Sequence, residues 1–133
     1  MNIPDRAAQL WPLLVFAARN RQTLTYELVG KLTAMHAAGV GGVLEPIQSY
    51  CLLHNLPPLS ALVVNKATGR PGLGFIAAED VPEAFVRVFD FNWLARVPPT
   101  SQQLAAAVRQ LPSNAGPDGT AKTGVTSKQS LRK

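Results

Sequence analysis

Apolar residues recur at helical spacing near the start of the chain. Leu10, Leu13, Leu14 and Ala17 fall at i, i+3, i+4 and i+7, and Trp11 and Val15 widen the face, which predicts a helix over 5–19. Pro4 suits the mouth of that helix, where its missing N–H has no partner to lose, and Asp5 lies at the positive end of the dipole. A short β-favouring run, Gln22 to Leu24, leads into a second helix over 25–32. Thr25 is its N-cap, Glu27 sits in its first turn, and Leu28, Val29 and Leu32 form its buried side. Gly39, Gly41 and Gly42 then predict a sharp turn. Val40, Val43, Leu44, Ile47, Cys51 and Leu52 keep helical spacing as far as Asn55, which leaves Gln48, Ser49, Tyr50 and Asn55 outward. Pro46 is cheapest in a first turn, so the regular part of this third helix is expected from Leu44.

After the rigid exit Leu56-Pro57-Pro58-Leu59 the pattern changes period. Ser60 to Asn65 is the best strand in the chain, Asn65 to Gly69 has turn chemistry, and 70–76 reads as an irregular return strand kept at an edge by Pro71. Asp80 with Glu83 three positions on has the form of a capping box before a helix striped by Phe85, Val88 and Phe89. Trp93 and Leu94 are expected to pack after it. Val97-Pro98-Pro99 breaks the chain, and Ser101 caps a last helix carrying Leu104, Val108 and Leu111 on one side. The order strand, helix, turn, helix, hairpin predicts an α+β winged helix-turn-helix with an N-terminal helix, a β-hairpin wing and C-terminal helices, in one domain over 1–112. Residues 113–133, rich in Gly, Ser, Thr and Lys, are expected to be a disordered basic tail.

Composition narrows the chemistry. The 133 residues are 47% apolar, enough for one real core. Cys51 is the single cysteine and there are two histidines, so an internal disulfide is excluded and a structural zinc site lacks ligands. Cys51 on the apolar side of its helix reads as a core residue rather than a nucleophile. Glu79, Asp80 and Glu83 are explained by helix capping without a metal. The glycine cluster lacks the Gly-Lys-Ser/Thr ending of a phosphate-binding P-loop. No apolar run has membrane-spanning length and the N-terminus lacks a secretory pattern, so a cytoplasmic location with no membrane partner is expected. The net charge of +5 is uneven along the chain. Residues 1–112 hold nine Lys/Arg against seven Asp/Glu, while 113–133 hold four against Asp118 alone, so the predicted domain is only mildly basic.

The run Leu24-Thr25-Tyr26-Glu27-Leu28-Val29, the Gly-Val-Gly-Gly turn, Leu56-Pro57-Pro58, and Val63-Val64-Asn65 before Thr68-Gly69 together resemble the DNA-binding half of the O6-alkylguanine alkyltransferases and alkyltransferase-like proteins. The resemblance implies a winged helix that meets duplex DNA. Where that family carries its Cys or Trp and its His-Arg pair, this chain has Pro58, Leu59, Ser60 and Ala61, and Cys51 lies in the preceding helix, so alkyl transfer is not expected. The expected function is therefore non-enzymatic binding of nucleic acid, with duplex DNA as partner and no cofactor or metal. Lys66 and Arg70 would hold phosphates from the wing, Arg19 and Arg21 would hold them near the first strand, and Gln48 and Ser49 would face the groove. The competing expectation is a protein-interaction module of the same fold, using Tyr50, Phe75 and Trp93 on an unidentified protein. A homodimer is compatible with either.

Overall fold

A computed structural model describes residues 1–72 and 74–111; the tail expected over 113–133 lies outside the described residues. In chain order the elements are α1 (Ile3–Arg19), β1 (Leu24–Thr25), α2 (Tyr26–Thr33), α3 (Val40–Leu53), β2 (Val63–Val64), α4 (Val81–Asp90) and α5 (Ser101–Gln110), with 3-10 turns at Ala37–Gly39, Leu59–Leu62 and Trp93–Ala95. Helix dominates, and the small sheet makes the architecture α+β.

The apolar stripes read from the sequence meet where α1, α3 and α5 pack on one another. Leu10 and Leu14 of α1, Ile47 and Cys51 of α3, and Leu104 of α5 are fully buried there. Trp11 sits at the edge of this core between Tyr50, at 5.6 Å, and Trp93, at 5.8 Å, both in edge-to-face contact. The Trp93 indole N–H donates to the Val88 carbonyl at 2.9 Å, which secures the turn after α4. Asn2, Thr25 and Asp80 cap α1, α2 and α4 through their side chains, the last two as expected. The cap of α5 is Thr100 rather than Ser101, because Thr100 completes a reciprocal capping box with Gln103.

Three further expectations are corrected. Of the glycine cluster only Gly39 lies between α2 and α3, in the 3-10 turn; Gly41 and Gly42 belong to the first turn of α3, and the left-handed residue is Ala34, at φ 58°. Ala34 ends α2 in a Schellman motif, with Met35 N–H donating to the Gly30 carbonyl at 2.8 Å. Arg21 and Asn55 end α1 and α3 with the same pair of bonds. The glycine that the local geometry requires is Gly30, where a Cβ would lie 2.6 Å from the Met35 carbonyl oxygen. Second, α3 begins at Val40, with Pro46 inside it and buried. Third, α2 faces the core through Val29 and Thr33, and Leu28 and Leu32 are exposed.

The expected hairpin is also rearranged. Residues 59–62 form a 3-10 turn, and only Val63 and Val64 are strand. That strand pairs with β1 in parallel, Leu24 opposite Val63 and Thr25 opposite Val64, and the return segment makes no ladder among its described residues. A parallel pair cannot be closed by a tight turn; here α2 and α3 supply the crossover.

Candidate functional site

The segment after β2 is the most informative surface of the chain. It reverses at once: Gly69, at φ 69°, donates its N–H to the Asn65 carbonyl at 2.8 Å, and Asn65 N–H donates to the Arg70 carbonyl at 2.9 Å. Gly69 therefore serves the left-handed position that turn chemistry predicted. Lys66 and Arg70 both project from this turn and are exposed, and residues 65–78 contain no acid.

The loop that continues from the turn is tied down at two points. Gly72 N–H donates to Tyr26 Oη at 3.0 Å, and a Cβ at Gly72 would lie 2.5 Å from that oxygen, so any other residue here would push the Tyr26 ring aside. Gln48 on α3 makes the second tie. Its Nε2 donates to the Gly74 carbonyl at 3.1 Å, and its Oε1 accepts from the N–H groups of Ile76, at 2.8 Å, and Ala77, at 3.1 Å. One amide side chain thus satisfies three backbone groups of a segment with no ladder of its own.

This tether corrects the reading of α3. Gln48 is 4% exposed and Ser49 0%, so neither can face a DNA groove. Helical spacing places polar side chains away from the apolar stripe, but the loop folds back over Gln48, and Ser49 is buried as well. Tyr50 and Trp93, expected on an exposed interaction surface, are buried in the aromatic cluster, and Phe75 is half-buried. Spacing and residue type alone assign Tyr26 and Gly72 no role at a site. A tyrosine directly after an N-cap, and the glycines of Pro71-Gly72, were the signals available.

Under the loop, Tyr26, Leu44, Glu45, Gln48, Ser60 and Phe75 line a cavity of about 50 Å³. Ser60 is 4% exposed and its Oγ has no hydrogen-bond partner among the described residues. The lining holds neither histidine nor a basic side chain that could activate this hydroxyl. Burial pushes the Cys51 thiol up from its ordinary 9.0 to about 12, only partly offset by the Leu59 backbone and Arg96, which keeps it a neutral core group. His54, at the end of α3, lies against the Tyr50 ring at 4.2 Å. Asp80 accepts from Glu83 N–H at 3.0 Å, the capping role expected of that acidic stretch, and among the described residues there is no group of three or more metal-ligating side chains.

The four basic candidates fall into two pairs. Arg19 and Arg21 precede β1, Lys66 and Arg70 follow β2, and the parallel register sends the two pairs to opposite ends of the ribbon. Arg21 is held by Asp90, at 2.8 Å, with its guanidinium 5.9 Å from the Phe89 ring centroid. Arg19 instead borders an apolar groove between α1 and the 3-10 turn at Trp93–Ala95. Among the described residues no helix is long and apolar enough to cross a membrane. No protein-family model matches the chain, and neither a curated protein nor a solved structure matches it.

Proposed function

We propose that the protein is a non-enzymatic nucleic-acid-binding module of the winged-helix type, similar in plan to the DNA-binding half of the alkyltransferase-like proteins, and that it grips duplex DNA by its phosphates through Lys66 and Arg70. The observation that carries this reading is the tethered basic turn. Four hydrogen bonds, one to Tyr26 and three to Gln48, fix the loop following Lys66 and Arg70 to the helix pair α2 and α3. A loop held in place before binding loses little conformational entropy on meeting a ligand, which favours it as a clamp.

The grip is to the backbone and blind to sequence. With Gln48 and Ser49 buried, the exposed start of α3 offers Gly41 and Gly42, which have no side chains to read base edges. The module acts in the cytoplasm and uses no metal or cofactor. Fluorescence anisotropy on a random-sequence duplex, titrated with salt, tests it. The double variant Lys66→Ala/Arg70→Ala should bind more weakly to all sequences alike, and its plot of log K against log salt should be flatter by about 2 than that of the wild type. An unchanged slope would remove the turn from the interface, and no binding by the full chain at low salt would end the reading.

A further inference from the structure

The groove beside α1 is a second surface, with a different chemistry. Phe16 is 68% exposed on its α1 wall and Leu94 70% exposed on the opposite wall. Single exposed apolar side chains are ordinary, but here two of them face each other across one depression of about 510 Å³. Trp11 and Trp93 form its floor. The Trp93 N–H is already given to Val88, so the Trp93 part of that floor offers carbon rather than a donor.

The charges at the groove have one sign. Arg19 and Arg96 line it and no acidic residue does. An occupant must therefore bring apolar groups for the floor and negative charge for the ends. Nucleic acid would bring the charge, but base stacking needs open aromatic faces, and Trp11 and Trp93 are closed at 4% and 2% exposure. A bilayer would meet the exposed tips of Phe16 and Leu94 but leave the tryptophan floor of the cleft unfilled.

We propose that this groove docks an acidic amphipathic helix from a partner protein. Two apolar side chains of that helix, one turn apart, sit on the tryptophan floor between Phe16 and Leu94, and flanking carboxylates face Arg19 and Arg96. The site is independent of the basic turn, so Arg19 serves protein recognition rather than DNA.

The test is a selection of phage-displayed random peptides of about 15 residues, long enough to form a helix on the surface, against the immobilised full chain. Enriched sequences are then synthesised and measured by fluorescence anisotropy. Enriched peptides should carry apolar residues at i and i+3 or i+4 with Asp or Glu alongside. Leu94→Asp and Arg96→Glu, both at exposed positions, should each weaken binding by about tenfold or more, and Lys-for-Glu peptides should regain affinity for Arg96→Glu. Lys66→Ala/Arg70→Ala should bind the peptides as the wild type does, which keeps this result separate from the DNA reading. No enrichment, enrichment of neutral or basic peptides, binding indifferent to Leu94→Asp, or displacement of the peptide by duplex DNA or anionic vesicles would each overturn the proposal.

Discussion

Ser60 and Cys51 show how burial decides what a reactive-looking residue can do. The Ser60 hydroxyl is desolvated without a partner among the described residues, a cost that an apolar side chain would not carry. Ser60→Ala should therefore leave stability unchanged or raise it by up to about 1 kcal/mol in urea denaturation. A loss of more than that amount would mean the hydroxyl bonds something held in the cavity. For Cys51 the sign follows from its raised pKa. Below pH 9.0 the thiol is neutral in both folded and unfolded chains; between 9.0 and about 12 the unfolded chain releases a proton that the folded one keeps, so unfolding is increasingly favoured as pH rises. The stability advantage of the wild type over Cys51→Ala should accordingly shrink by about 1.4 kcal/mol per pH unit above 9, measured by denaturant titration at successive pH values. A constant difference would show that the thiol titrates normally.

Among the elements, the helices were legible and the loop was not. The α1 stripe, the burial of Leu104 in α5, the Thr25 and Asp80 caps and the core position of Cys51 follow from spacing and local hydrogen-bonding chemistry, which act within a turn or two of chain. Helix ends were less readable, since all three Schellman motifs place a residue other than glycine in the left-handed position. The bonds that make the loop a defined element run from residue 48 to residues 74, 76 and 77, and no local pattern announces them. Gln48→Ala should cost about 1–3 kcal/mol, by leaving loop backbone groups without their partner, and should speed hydrogen exchange at Ile76 and Ala77. If exchange there stays slow, the loop is held by packing and Gln48 is dispensable.

At the scale of the whole molecule, charge and topology pull apart. Much of the positive excess lies in 113–133, so nucleic-acid affinity could arise from the tail alone. Changing Lys122, Lys128, Arg132 and Lys133 to Gln in the full chain separates the two contributions. The turn-based reading expects salt-dependent binding to survive, still sensitive to Lys66→Ala/Arg70→Ala. Binding that vanishes with the tail charges would assign it to the tail instead. What the sequence determined by itself was local: helix faces, caps, the core cysteine and the uneven charge all depend on residue type and short spacing. Tertiary structure decided the rest. The parallel pairing of β1 with β2 split the four arginine and lysine candidates between two ends, the folded-back loop engaged Gln48 while tertiary packing buried Ser49, and the meeting of α1 with the 3-10 turn at Trp93–Ala95 made a groove that no single segment contains. Each of these joins residues far apart in sequence, and register and coverage between distant segments are set by the packing of the whole chain.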